Sequence, residues 1–177
     1  MNVLVVVDMQ NDFIDGALGT AEAVSIVPLV VQKIRSFDGL VLATMDTHNS
    51  DYRKTQEGRQ LPVAHCIKGS DGWQIAEAIR TLLTEVPIEK PTFGSIRLGE
   101  RLLELHQSCG IEEVTFVGLC TDICVISNVM IAKAFLPEVP IVVDAACCAG
   151  VTPESHKQAL EAMKMCQVRV INDGKDA

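Results

Sequence analysis

Short β-branched apolar runs alternate with helix-period segments along almost the whole chain, and no other feature constrains the fold as strongly. The runs are NVLVVVD (2–8), GLVLATMD (39–46), EVTFVG (113–118), PIVVDA (140–145) and VRVI (168–171). Each has strand length and is apolar at successive positions, as expected of strands buried on both faces of a sheet. Between them, AEAVSIVPLVVQKIRSF, GWQIAEAIRTLLTEV, RLGERLLELHQSCG, TDICVISNVMIAKAF and TPESHKQALEAMKM carry apolar residues at helical spacing. VPIEKP (86–91) adds a further short strand. The expected fold is α/β: a doubly wound, mainly parallel sheet of about six strands with helices on both faces. A chain of 177 residues with no Pro/Gly/Ser-rich linker is expected to form one domain over 1–177.

Composition excludes several function classes. Hydrophobic residues make up 48% and charged residues 21%, which fits neither a disordered nor a membrane-embedded chain. A net charge of −8 leaves no basic stripe to neutralise phosphates, so no nucleic-acid partner is expected. MNVLVVVDMQ lacks the basic region and cleavage site of a signal peptide, and a cytoplasmic location is expected. The seven cysteines, an odd number, suit reduced thiols better than a disulfide framework.

In open parallel sheets the ligand crevice lies beyond the carboxyl ends of the strands, so the polar residues there are the first candidates. They are Asp8, Asp46, Lys90 and the TDIC segment following EVTFVG. GLCTDICV contains no CxxC, which argues against a zinc clip or a redox pair. With Thr121 or Asp122 as N-cap, Cys124 falls in the first turn of a helix, where free N–H groups and the dipole favour a thiolate. The alternative, that Cys120 and Cys124 are small core residues, stays open on position alone. Cys124, Lys90 and Asp8 at three strand ends would supply a nucleophile, a cation and an acid/base.

A second group comprises Asp46, His48 and His65, with Glu57 between them. These donors suit Zn²⁺, or alternatively Mn²⁺ or Fe²⁺. They lie in the long aperiodic segment THNSDYRKTQEGRQLPVAHCIKGSDG, and loops of that length in a compact domain are usually functional. His106 and His156 fall on expected helices, with solvated or capping roles.

Taken in order, VVDMQNDF, DTH, EGRQLPVAHCIKG, KPTFGS, GLCTDICV and VVDAACCAGVTPESH resemble the isochorismatase-like cysteine hydrolases, in particular their nicotinamidase branch, which have a Rossmann-type fold. The resemblance implies Cys124 as nucleophile, Asp8 as acid/base and Lys90 as the third catalytic member. It implies an oxyanion hole from the backbone N–H groups of Cys120 and Cys124, with a non-prolyl cis bond between Leu119 and Cys120. It further implies one divalent metal on Asp46, His48 and His65, with Glu57 a further ligand in some members. The implied reaction converts nicotinamide and water to nicotinate and ammonia, with a small amide as the partner molecule and a homo-oligomer as the expected assembly. One departure concerns the substrate pocket: the run LPVAHC places Leu61 where many nicotinamidases carry an aromatic opposite Phe13. Trp73 is assigned to the core at a helix start. The alternatives are hydrolysis of another small amide or ureide and, in a different class, a non-catalytic metal-binding or thiol-sensing protein.

Overall fold

The computed structural model describes residues 1–174. Six strands, β1 (Asn2–Val7), β2 (Leu40–Asp46), β3 (Ile88–Lys90), β4 (Glu113–Leu119), β5 (Ile141–Ala149) and β6 (Arg169–Ile171), form one sheet in the order β3-β2-β1-β4-β5-β6. Every pairing is parallel. The helices are α1 (Asn11–Ile14), α2 (Ala21–Ser36), α3 (Gln56–Gln60), α4 (Glu77–Arg80), α5 (Ile96–Cys109), α6 (Ile126–Phe135) and α7 (Pro153–Met165). No helix among the described residues is long and apolar enough to cross a membrane.

The alternating faces of the central strands feed two cores. Val3, Val5 and Val7 of β1 pack with Leu98, Leu102 and Val129 from α5 and α6. Leu4 and Val6 point the other way, toward Ala23, Ile26 and Val30 of α2. Burial on both faces explains why these strands read as continuous apolar runs. Strand order reverses direction between β1 and β4, which places the crevice of the doubly wound sheet beyond their carboxyl ends. At that junction Gly118 has φ +117°, and a Cβ there would lie 2.1 Å from the Val7 carbonyl oxygen, so only glycine fits.

Three elements differ from the sequence pattern. The helix expected across GWQIAEAIRTLLTEV shrinks to α4, because Ile75 forms an antiparallel bridge with Gln10 and the Ala76 N–H bonds to the Met9 carbonyl. Trp73 accordingly sits in a turn, its indole N–H donating to Thr47 Oγ1 at 2.9 Å. β5 runs past PIVVDA to Ala149, with a register shift against β4 between Phe116 and Gly118. Finally, TDICV forms a five-residue π-helical turn before α6, and neither Thr121 nor Asp122 caps it.

Candidate active site

Each strand end delivers its polar residue to the crevice. Asp8 follows β1 with φ +47°, a left-handed conformation that turns its side chain back beneath the crevice. Its Oδ1 accepts from Thr44 Oγ1 at 2.7 Å, and Lys90 Nζ lies 2.7 Å from its Oδ2. Lys90 ends β3 and is 1% exposed. Its ammonium also lies 3.3 Å from Asp46 Oδ1, 3.1 Å from the Thr92 carbonyl and 3.4 Å from Cys124 Sγ. Cys124, Lys90 and Asp8 are therefore contiguous, although 34 residues separate the first two.

Burial and charge set the protonation states. Burial pushes the Asp8 carboxyl up, and the Lys90 charge offsets this only in part. Burial disfavours the Lys90 charge, but Asp8, Cys124 and Asp46 outweigh it and raise the ammonium's pKa, keeping it protonated. For Cys124, burial is the largest influence and Asp8 adds to it, so the thiol is held well above its usual value despite Lys90. Desolvation thus opposes the thiolate that a helix start favours. Burial likewise pushes Cys120 up to about 12.

The π-helical turn that carries Cys124 is fixed from outside. Thr121 Oγ1 lies 2.7 Å from His156 Nδ1, and the Val151 N–H donates to the Asp122 carboxylate at 3.1 and 3.3 Å. His156 is thus half-buried against this turn and is not a solvated residue. His106, in the last turn of α5, instead accepts through Nδ1 from the N–H of Ile111, beyond the helix end, at 3.1 Å. The peptide bond between Leu119 and Cys120 is cis, as the resemblance implies.

Beside Lys90, donor atoms of Asp46, His48, Glu57 and His65 all lie within 4.8 Å of one another. His48 Nε2 is 3.0 Å from Asp46 Oδ2 and 3.5 Å from Glu57 Oε1; His65 Nε2 is 3.6 and 3.7 Å from the same two oxygens. Two observations fit a cation better than a self-satisfied cluster. His48 Nε2 is buried, and its 3.0 Å approach to Asp46 Oδ2 lacks hydrogen-bond geometry. His65 Nδ1 is 2.8 Å from the Val63 carbonyl, which can only accept, so the proton sits on Nδ1 and the Nε2 lone pair faces the cluster. Two imidazoles and two carboxylates form a donor set suited to zinc, manganese or iron. The Lys90 ammonium, 3.3 Å from Asp46 Oδ1, favours the ionised form of that carboxyl.

The two groups open onto one cavity of about 270 Å³, lined among others by Phe13, Glu57, Leu61, His65, Phe93 and Cys124. Asp46 and Cys120 also reach it, while Asp8 and Lys90 lie beneath. That volume falls just under the usual range for drug-sized ligands, so it suits a small molecule. The cavity's walls are mainly apolar, with ionisable groups confined to Asp46, Glu57, His65 and the two cysteines Cys120 and Cys124.

The isochorismatase domain profile matches residues 2–173. The chain belongs to the isochorismatase domain family. Among its relatives, a nicotinamidase/pyrazinamidase of Mycobacterium tuberculosis is 27% identical, the match covering 97% of this chain and 98% of that protein. A probable inactive nicotinamidase of Arabidopsis thaliana is 29% identical over 94% of this chain and 89% of its own length. In structure, the pyrazinamidase of Pyrococcus horikoshii in complex with zinc superposes with a TM-score of 0.79 at 27% identity, covering 96% of this chain and 98% of that one.

Within this isochorismatase domain the structure brings every candidate residue from the sequence to one crevice, and it adds others. Gln10 is fully buried; its Oε1 accepts from the Asp46 N–H at 2.7 Å and its Nε2 donates to the Asp46 carbonyl at 2.8 Å, which fixes the backbone of Asp46. The Tyr52 ring packs on His48 and His65, with centroids 4.6 and 5.0 Å away. Phe93 lines the cavity that Leu61 left without a second aromatic. Its only trace in the sequence is its place three residues after Lys90 in KPTFGS.

Proposed function

We propose that this protein is a cysteine amidohydrolase that cleaves a small carboxamide, with nicotinamide the preferred substrate and nicotinate and ammonia the products. The observation that carries this reading is the contiguity of Cys124 Sγ, on the wall of a cavity of about 270 Å³, with Lys90 Nζ and Asp8 Oδ2 beneath it. The full-length similarity to a nicotinamidase/pyrazinamidase supports the choice of substrate.

In this reading the Cys124 thiol, protonated at rest, passes its proton to the Asp8 carboxylate as the sulfur attacks the amide carbon. A carboxyl raised by burial is a stronger base than an exposed one, which suits Asp8 to that transfer. The Lys90 ammonium keeps the pair near neutrality while negative charge moves onto the substrate oxygen. The backbone N–H groups of Cys120 and Cys124 receive that oxyanion. Collapse breaks the C–N bond, the Asp8 proton leaves with ammonia, and a thioester remains on Cys124. Asp8 then takes a proton from water as its oxygen attacks the thioester carbon; collapse breaks the C–S bond, Asp8 returns the proton to the sulfur, and the acid leaves as carboxylate with its own proton passing to solvent. Asp46, His48 and His65, with Glu57, would hold a divalent ion, zinc or alternatively manganese or iron. When bound, it supplies a Lewis-acid position for a ring nitrogen and for water.

Ammonia release from a panel of nicotinamide, pyrazinamide, propionamide and small ureides tests the reading. Turnover of the pyridine and pyrazine amides above the others supports it. Preferential turnover of an aliphatic amide or ureide removes nicotinamide and keeps the chemistry. The similarity to a probable inactive relative favours one rival, a non-catalytic metal-binding protein. Absence of turnover across the panel in metal-loaded protein would establish that rival.

A further inference from the structure

Asn128 lies on α6, one turn beyond Cys124, and is fully buried. Its carboxamide spans two segments. Oδ1 accepts from the Ser95 N–H at 2.9 Å, while Nδ2 donates to the Phe93 carbonyl at 3.0 Å and to the Cys124 carbonyl at 2.8 Å. The same short segment is held at its other end by Lys90, whose ammonium donates to the Thr92 carbonyl at 3.1 Å. Phe93 itself is 42% exposed, so packing holds its ring less firmly than the backbone on either side. The ring lines the substrate cavity together with Phe13 and Leu61.

We infer that Asn128 is a positioning residue for substrate specificity: it ties the Phe93 wall to the Cys124 turn, so that a flat aromatic amide is held in register with the sulfur. This rests on the amidohydrolase reading and adds to it the residue that selects the ring. Phe93 supplies the aromatic surface absent at Leu61, from a different loop. Asparagine suits the position because two carbonyls need donors and one N–H needs an acceptor, and a single carboxamide provides all three. Ring packing is shared by ground and transition states, so its loss appears in KM.

The test compares Phe93→Ala, Asn128→Ala and the double variant, with nicotinamide and propionamide as paired substrates and thermal melts to establish folding. Phe93→Ala is expected to raise KM for nicotinamide roughly tenfold and to change that for propionamide less than about twofold. Asn128→Ala should show the same selective rise, and the double variant should add little to the larger single effect. Equal rises for both amides, or fully additive effects, would overturn the inference. Should Asn128→Ala fail to fold, Asn128→Ser, which keeps one polar group at the site, is read by the same criteria.

If the wild-type protein hydrolyses no amide, the functional reading fails, and the inference is then judged on alkylation of Cys124 measured by peptide mass spectrometry. N-phenylchloroacetamide should label Cys124 faster than chloroacetamide, and both Phe93→Ala and Asn128→Ala should erase that preference. A preference unchanged in the variants, or absent from the wild type, overturns the inference.

Discussion

Lys90 Nζ lies 2.7 Å from Asp8 Oδ2, and neither side chain reaches solvent. Truncating one member of such a pair strands the other charge in the interior, at a cost of about 3–5 kcal/mol. Asp8→Ala is expected to fall at the low end of that range, because Asp46 Oδ1 remains 3.3 Å from the ammonium. Combining Asp8→Ala with Lys90→Met should destabilise by less than the sum of the single changes. Denaturant unfolding of the four proteins measures this, and additive losses would show that the two charges are uncoupled.

The two cysteines of GLCTDICV should separate cleanly. Cys124→Ala is expected to abolish turnover, and Cys120→Ala to retain much of it, since the proposed role of Cys120 is played by its backbone N–H. Steady-state rates on folded variants decide the matter, and equal losses would refute the assignment of the nucleophile.

Chelation is expected to lower activity without unfolding the protein. Asp46 stands at a strand end whose backbone Gln10 fixes, and the core packed with α5 and α6 contains no chain neighbour of Asp46, His48, Glu57 or His65. This differs from a zinc finger, whose fold depends on its metal. Circular dichroism before and after chelation, with metal content measured in parallel, provides the check; cooperative unfolding would mark a structural site.

His156 predicts a pH dependence of stability. Burial lowers its pKa below 6.5, with Lys157 acting in the same direction and Asp122 against it. The folded state therefore binds fewer protons than the unfolded one once pH drops below about 6.5. Its contribution to stability is complete above that pH and is lost as pH falls through the folded value. The loss should be modest, since the ring is only half-buried. Between pH about 7.5 and about 5.5 the wild type should lose more unfolding free energy than His156→Gln, which keeps a polar partner for Thr121. Identical slopes would contradict the prediction.

Of the site, the sequence by itself placed the polar residues, because a buried parallel strand must end where its apolar run ends. Asp8, Asp46, Lys90 and the cysteine turn after β4 all mark such ends. The same local periodicity marked all six strands and most helices, since burial on two faces or one is written into neighbouring residues. It misplaced the helix around Trp73, where pairing with Gln10 and Met9 outweighed helical spacing. Only the tertiary structure decided which residues meet. Asn128 and Phe93 are 35 positions apart, Gln10 and Asp46 are 36, and no periodicity relates them. It also set the balance at the Cys124 thiol, because a helix start favours the anion, whereas the depth of burial, which only the packed fold sets, favours the protonated sulfur.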